Sequence, residues 1–173
     1  MTDAVMYARY NQDANRQVFD LLSGLSREER EKDRGGYFKS LSGTLLHNAG
    51  TTVYFLGLYR PALAGNAEAS KALSALPELP AEGPMDDAQW QKLGEAVAAI
   101  DAAYVAMAKA LGESDLRLPV KLDWYGGDPE AVPLGFMLGQ LVVHNTHHRG
   151  QISQTLDELK IEHDFSGIQF LPD

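Results

Sequence analysis

Apolar side chains recur at three- and four-residue steps through four long stretches of the chain, the spacing that paints one stripe along an α-helix. The first stripe, Met6, Tyr10, Ala14, Val18, Leu21 and Leu22, predicts a helix over residues 4–23, with Gly24 placed to end it. The second is carried by Leu41, Leu45, Phe55 and Leu58, with His47, Asn48, Thr51 and Thr52 among them. It predicts a helix that opens after Ser40 as N-cap and ends near Tyr59, ahead of Pro61. Trp90, Leu93, Val97, Ile100, Tyr104, Met107 and Leu111 carry the third, capped by Asp86 or Asp87 and stopped at Gly112. The fourth starts near Pro133, a favourable first-turn residue, and runs through Phe136, Leu138, Leu141, His144, His148, Ile152, Leu156 and Leu159.

The segments between the stripes carry turn chemistry. Ser26 and Glu29 stand at capping-box spacing and predict a turn or two of helix, broken by Asp33-Arg34-Gly35-Gly36. Residues 62–84 hold Pro77, Pro80, Pro84, Gly65 and Gly83, which predicts a long connection with one short helix over 67–76. Residues 116–122 alternate apolar and polar, residues 123–128 read as a turn, and residues 129–132 can return as a second strand. The tail from Ile161 has no period; its apolar Ile168, Phe170 and Leu171 suggest that it packs back on the helices. The expected fold is all-α: one domain over residues 1–173, a four-helix bundle with a long crossover between its second and third long helices and a small β-hairpin before the fourth.

Composition narrows the function. The net charge is −9, and the densest basic stretch, Arg27 to Arg34, is interleaved with Glu28, Glu29, Glu31 and Asp33. No basic stripe exists to neutralise phosphates, so neither nucleic acid nor an anionic membrane is an expected partner. The absence of cysteine rules out disulfides, iron–sulfur clusters and thiolate zinc sites. The first residues lack the apolar core of a signal peptide and no apolar run is long enough to span a bilayer, so a soluble, cytoplasmic protein is expected.

Three of the five histidines fall between positions 144 and 148, inside the fourth helix. Residues four apart lie one above the other, so His144 and His148 form a two-imidazole clip for a divalent metal. His47 is the only other histidine in a strongly helical segment, and it supplies a third ligand. Three imidazoles leave a coordination position open, the layout of a catalytic rather than a structural site, and suit zinc, nickel, iron and copper. Gln140 and Gln151 fall near the same helix face and could hydrogen-bond the ligands or a substrate. His147 lies to the side, outside the ligand set but within reach of an outer-shell or acid–base role, and Arg149 points elsewhere, available to a carboxylate. Helical histidines are more often satisfied core or surface residues than ligands, and that reading suffices for His163. Position 145 is Asn, so the glutamate base of a His-Glu-x-x-His peptidase is missing. Gly35-Gly36 and Gly126-Gly127 read as turns, Trp124 and Tyr125 as cover for a core or a pocket, and Tyr7, Tyr10 and Asn11 as core or pocket.

With these residues in view, the chain resembles the DinB/YfiT-like superfamily of metal-dependent proteins. The resemblance rests on Tyr10-Asn11, on Leu25-Ser26 through Glu29, and on Phe38-x-Ser40-Leu41-x-Gly43-Thr44-Leu45-x-His47. Its most specific block is His144-x-Thr146-His147-His148-Arg149-Gly150-Gln151, followed by the tail from Asp164 to Leu171. It implies a four-helix bundle with a long crossover, a divalent metal (zinc, nickel or iron) on His47, His144 and His148, and a homodimer. Some relatives are transferases or isomerases that use a low-molecular-weight thiol, which makes a metal-dependent thiol S-transferase or hydrolase acting on a small-molecule substrate the first functional expectation. The alternative is a non-catalytic, stress-related protein whose metal ties two helices together. The family's name alludes to DNA damage but implies no DNA binding.

Overall fold

The computed structural model describes residues 3–122 and 131–168. In chain order the helices are α1 (Asp3–Ser23), α2 (Arg27–Glu31), α3 (Leu41–Ala62), α4 (Ala67–Ala72), α5 (Asp87–Ala110) and α6 (Leu134–Glu158). A two-stranded antiparallel hairpin, β1 (Pro119–Lys121) and β2 (Ala131–Pro133), precedes α6. The described fold is thus mostly helical with one small hairpin.

The starts of α2 to α5 are those that short polar side chains dictate, because a cap oxygen accepts a backbone N–H that the first turn leaves unpaired, whereas α6 follows Pro133 with no side-chain cap. Ser26 accepts from Glu29 N, Ser40 from Gly43 N and Asn66 from Ala69 N. Of the two aspartates before the third stripe, Asp86 is the cap, and the Gln89 side-chain oxygen accepts in return from the Asp86 backbone N–H. The ends differ more from expectation. α3 continues past Pro61 to Ala62, since the proline removes one donor in the last turn while Leu63 N still reaches Tyr59 O at 3.0 Å. α4 stops at Ala72 rather than 76. α5 ends because Leu111 turns extended, and Gly112 uses its N–H on the Asp115 carboxylate at 2.9 Å instead of forming a left-handed stop.

The four long helices meet in pairs: α1 lies against α5 and α6, and α3 against the same two. Their stripes enclose a core that includes Val18, Leu22, Leu45, Leu56, Leu93, Ile100, Met107, Leu141, Ile152 and Leu156. Residues 63–86 carry α4 across to pack on α5. Phe19 and Trp90 stack at 4.8 Å between α1 and α5, with the Arg30 guanidinium 4.8 Å from the indole centre. Val120 faces Val132 in the hairpin and is fully buried; β1 packs on α3. The expected turn at 123–128, with Trp124 and Tyr125, lies outside the described residues. The tail does return to the helices: Tyr10 donates to Phe165 O at 2.8 Å and Phe165 is buried. Ile168 is half exposed, and Phe170 and Leu171 lie outside the described residues. Among the described residues no helix is long and apolar enough to cross a membrane.

Candidate metal centre

α3 and α6 pack side by side, and that contact brings His47 opposite the His144–His148 pair. Ring centroids are 5.2 Å apart for His47 and His144, 4.6 Å for His47 and His148, and 4.4 Å for His144 and His148. One donor nitrogen from each ring lies within 4.8 Å of the other two. His148 is buried, while His47 and His144 are half-buried with their ligand atoms towards one shared volume.

Hydrogen bonds on the far side of the α6 rings set which nitrogens face that volume. His148 Nδ1 lies 2.8 Å from Gln151 Oε1, so Nδ1 carries the proton and Nε2 a bare lone pair. His144 Nδ1 faces Asn145 Oδ1 at 3.5 Å, a longer contact of the same sense. The two Nε2 atoms then stand 3.1 Å apart. Two bare lone pairs at that distance repel, and either a proton on one nitrogen or a metal cation between them relieves the repulsion. Burial lowers the pKa of all three rings, aided at His144 and His47 by the neighbouring imidazole of His148; His144 falls to about 4. The cluster is therefore neutral at physiological pH, the protonation state in which imidazole binds metal.

Phe38 covers the cluster. Its ring stacks on His47 at 3.9 Å and meets His148 edge-on at 5.3 Å. The loop that carries it is tightly turned: Gly36 and Lys39 form an isolated bridge, and Lys39 takes a left-handed backbone with φ 67°. Gly43 makes the close approach possible, because a Cβ there would sit 2.2 Å from Phe38 O. The spacing Phe38, Ser40, Gly43, His47 thus has a physical content: lid ring, helix cap, clearance and ligand.

Behind α6 a buried polar layer links all four long helices. Asn11 and Asn15 of α1 donate to the Asp101 carboxylate of α5 at 2.9 and 3.1 Å, and both accept from Arg149 Nη1 of α6, at 2.8 and 3.0 Å. Asn145 donates to Asn11 Oδ1 at 2.9 Å and exchanges hydrogen bonds with Thr52 of α3. Desolvation raises the Asp101 pKa to about 7 and lowers that of Arg149, so the asparagine amides relay between a reluctant anion and a reluctant cation. Asn145, notable in the sequence only for not being glutamate, is the residue that joins this layer to His144.

The other expected site residues separate cleanly. Gln151 touches His148, although its side chain is largely exposed. His147 is exposed, 4.9 Å edge-on from His148, and outside the three-nitrogen cluster. Gln140 is exposed on α6. His163 bonds Ser153 and Ile161 O on the tail, away from the cluster. Phe38, Asn15, Thr52 and Asp101 were not singled out as site residues from sequence, whereas Asn11 was read as core or pocket and Arg149 as available to a carboxylate, which it reaches through Asn11 and Asn15. A signal for the layer was present, since Asn11, Asn15 and Asp101 occupy stripe positions where an apolar residue belongs.

No curated protein matches the chain at a significant level. The model of the DinB family matches residues 1–160, a span that holds the Phe38 block, the three histidines and the whole polar layer. By that match the chain belongs to the DinB family.

Proposed function

We propose that the four long helices form a bundle whose His47, His144 and His148 hold a divalent metal, and that the protein uses it to join a low-molecular-weight thiol to a small electrophile. The observation that carries this reading is the convergence of three neutral imidazoles with one nitrogen each within 4.8 Å of one another, two of those rings with their Nε2 atoms 3.1 Å apart. Two nitrogens on one zinc lie at most about 4.2 Å apart, twice the bond length. The 3.1 Å pair fits as it stands, and a small ring rotation closes any wider separation. An ion held there would lower the pKa of a thiol or water bound in its open position and so raise the nucleophile fraction at neutral pH.

The chain's own residues supply the rest. Gln151 fixes the His148 tautomer, Phe38 shields one side of the cluster from water, and exposed His147 at the rim can take or return a proton. Asn145 stands where a His-Glu-x-x-His peptidase carries its glutamate base, which favours transfer over peptide hydrolysis.

Elemental analysis of protein purified without a histidine tag tests the metal, followed by zinc or nickel titration of the wild type and of His148→Ala. About one ion per chain is expected, with the variant binding far more weakly. Failure to bind after incubation with either ion refutes the reading. The loaded protein is then assayed with glutathione, bacillithiol or mycothiol against a panel of electrophiles; binding without turnover would leave the structural-metal alternative in its place.

A further inference from the structure

The face of α6 opposite the imidazoles borders a second cavity. Ser153 is nine residues beyond His144, about half a turn round the helix axis. There α6, Tyr10 of α1 and the tail around His163 and Phe165 enclose a cleft of about 220 Å³. Ser153 Oγ lies 2.5 Å from His163 Nε2, and His163 Nδ1 lies 2.8 Å from Ile161 O. A carbonyl oxygen only accepts, so Nδ1 carries the proton of the neutral ring and Nε2 is left to accept from the Ser153 hydroxyl. This is a hydroxyl paired with a base whose tautomer is fixed by a third group. Arg149, one helical turn before Ser153, lines the same cleft; it is buried and its Nε–H has no hydrogen-bond partner.

We propose that Ser153 and His163 form a nucleophile–base pair in a second site that accepts small carboxylic esters, with the acyl group lying in the cleft lined by Tyr10 and Phe165. Ser153 Oγ adds to the ester carbonyl carbon as its proton moves to His163 Nε2. Arg149 places positive charge beside the carbonyl oxygen as that oxygen becomes an anion. The bond to the alkoxide leaving group breaks, and His163 returns its proton to that oxygen. Water then repeats the sequence: its proton goes to His163, its oxygen attacks the acyl carbon, the bond to Ser153 Oγ breaks, and the serine recovers the proton. The site goes beyond the metal chemistry proposed above and requires none of its residues.

The test uses the full chain in EDTA, so that metal chemistry cannot contribute. Protein is treated with a fluorophosphonate probe and with p-nitrophenyl acetate, and the adduct is mapped by mass spectrometry in the wild type, which needs no variant to fold. We expect one adduct, on Ser153, absent in Ser153→Ala and formed roughly a hundred-fold more slowly in His163→Gln, the loss typical of removing a general base. Circular dichroism confirms that both variants are folded. No adduct, an adduct on another residue, or an equal rate in His163→Gln would overturn the proposal and leave Ser153–His163 as a tail anchor alone.

Discussion

Replacing Arg149 by Met tests the buried polar layer, because the cost should depend on pH in a way that identifies Asp101 as the group Arg149 serves. In the wild type the Asp101 pKa is about 7 rather than the usual 3.8. Between about pH 4 and pH 7 the folded state therefore holds a proton that the unfolded chain has released, and stability falls as pH rises across that window, by about 4 kcal/mol for three pH units. Above pH 7 the wild type pays no more, since both states are ionised. The Arg149 charge helps to hold the pKa down to that value. Methionine keeps the approximate volume and removes the charge, together with the hydrogen bonds to Asn11 and Asn15 at 2.8 and 3.0 Å. At pH 5.5 Asp101 is neutral in both proteins, and the variant loses only those bonds, at a cost of roughly 1–3 kcal/mol per unpaired acceptor, less the released desolvation of the arginine. At pH 8.5 the variant must also keep Asp101 protonated or bury it unpaired. The extra cost grows by about 1.4 kcal/mol per pH unit above 7 and reaches at most about 2 kcal/mol. Urea unfolding followed by circular dichroism at the two pH values measures this. Histidine titrations common to both chains cancel in the difference, and the Arg149→Met penalty measured in an Asp101→Asn background should not depend on pH. An Arg149→Met penalty that is equal at the two pH values, or larger at 5.5, refutes the reasoning.

Three further substitutions probe helix packing and the site. Gly94→Ala gains about 1 kcal/mol in helix propensity, but its Cβ would fall 2.2 Å from Phe19 Cζ in the Phe19–Trp90 stack. Overpacking costs about 1–3 kcal/mol, so thermal melts should show net destabilisation that changes sign in a Phe19→Ala background. Gly43→Ala meets the Phe38 carbonyl, which cannot swing away as a side chain can, so Phe38 should lift from His47; zinc titration calorimetry should show weaker binding together with a lower Tm. Gln151→Leu should lower metal affinity about 10- to 100-fold while urea unfolding of the metal-free protein changes little, because the Gln151 side chain is largely exposed; unchanged affinity would remove Gln151 from the site.

The long helices and their starts could be read from the sequence because stripes and caps are local: Ser26, Ser40 and Asp86 act within three residues of themselves. The helix ends read less well, since Pro61 sits in the last turn of α3 at the loss of one donor and Gly112 spends its N–H on a side chain. The His144–His148 pair is local too, one turn of one helix. His47 could be nominated, but its approach depends on how α3 meets α6. Phe38 could not be placed, because its position depends on a left-handed residue at Lys39 and on clearance at Gly43. The polar layer was hidden for the plainest reason: Asn15 meets Asp101 across 86 positions, and Asn11 meets Arg149 across 138.

That layer has a consequence for axial alignment. Apolar faces alone tolerate a slip of one helix past another, because Leu and Ile find similar neighbours one turn along, about 5.4 Å away. Asn145 and Arg149 find their acceptors at a single setting, and any other leaves a buried charge unpaired. The same slip of α6 would carry His144 and His148 past His47 by more than the separation of their rings. The layer therefore works as a key: the setting that satisfies Arg149 is the one in which the three imidazoles meet.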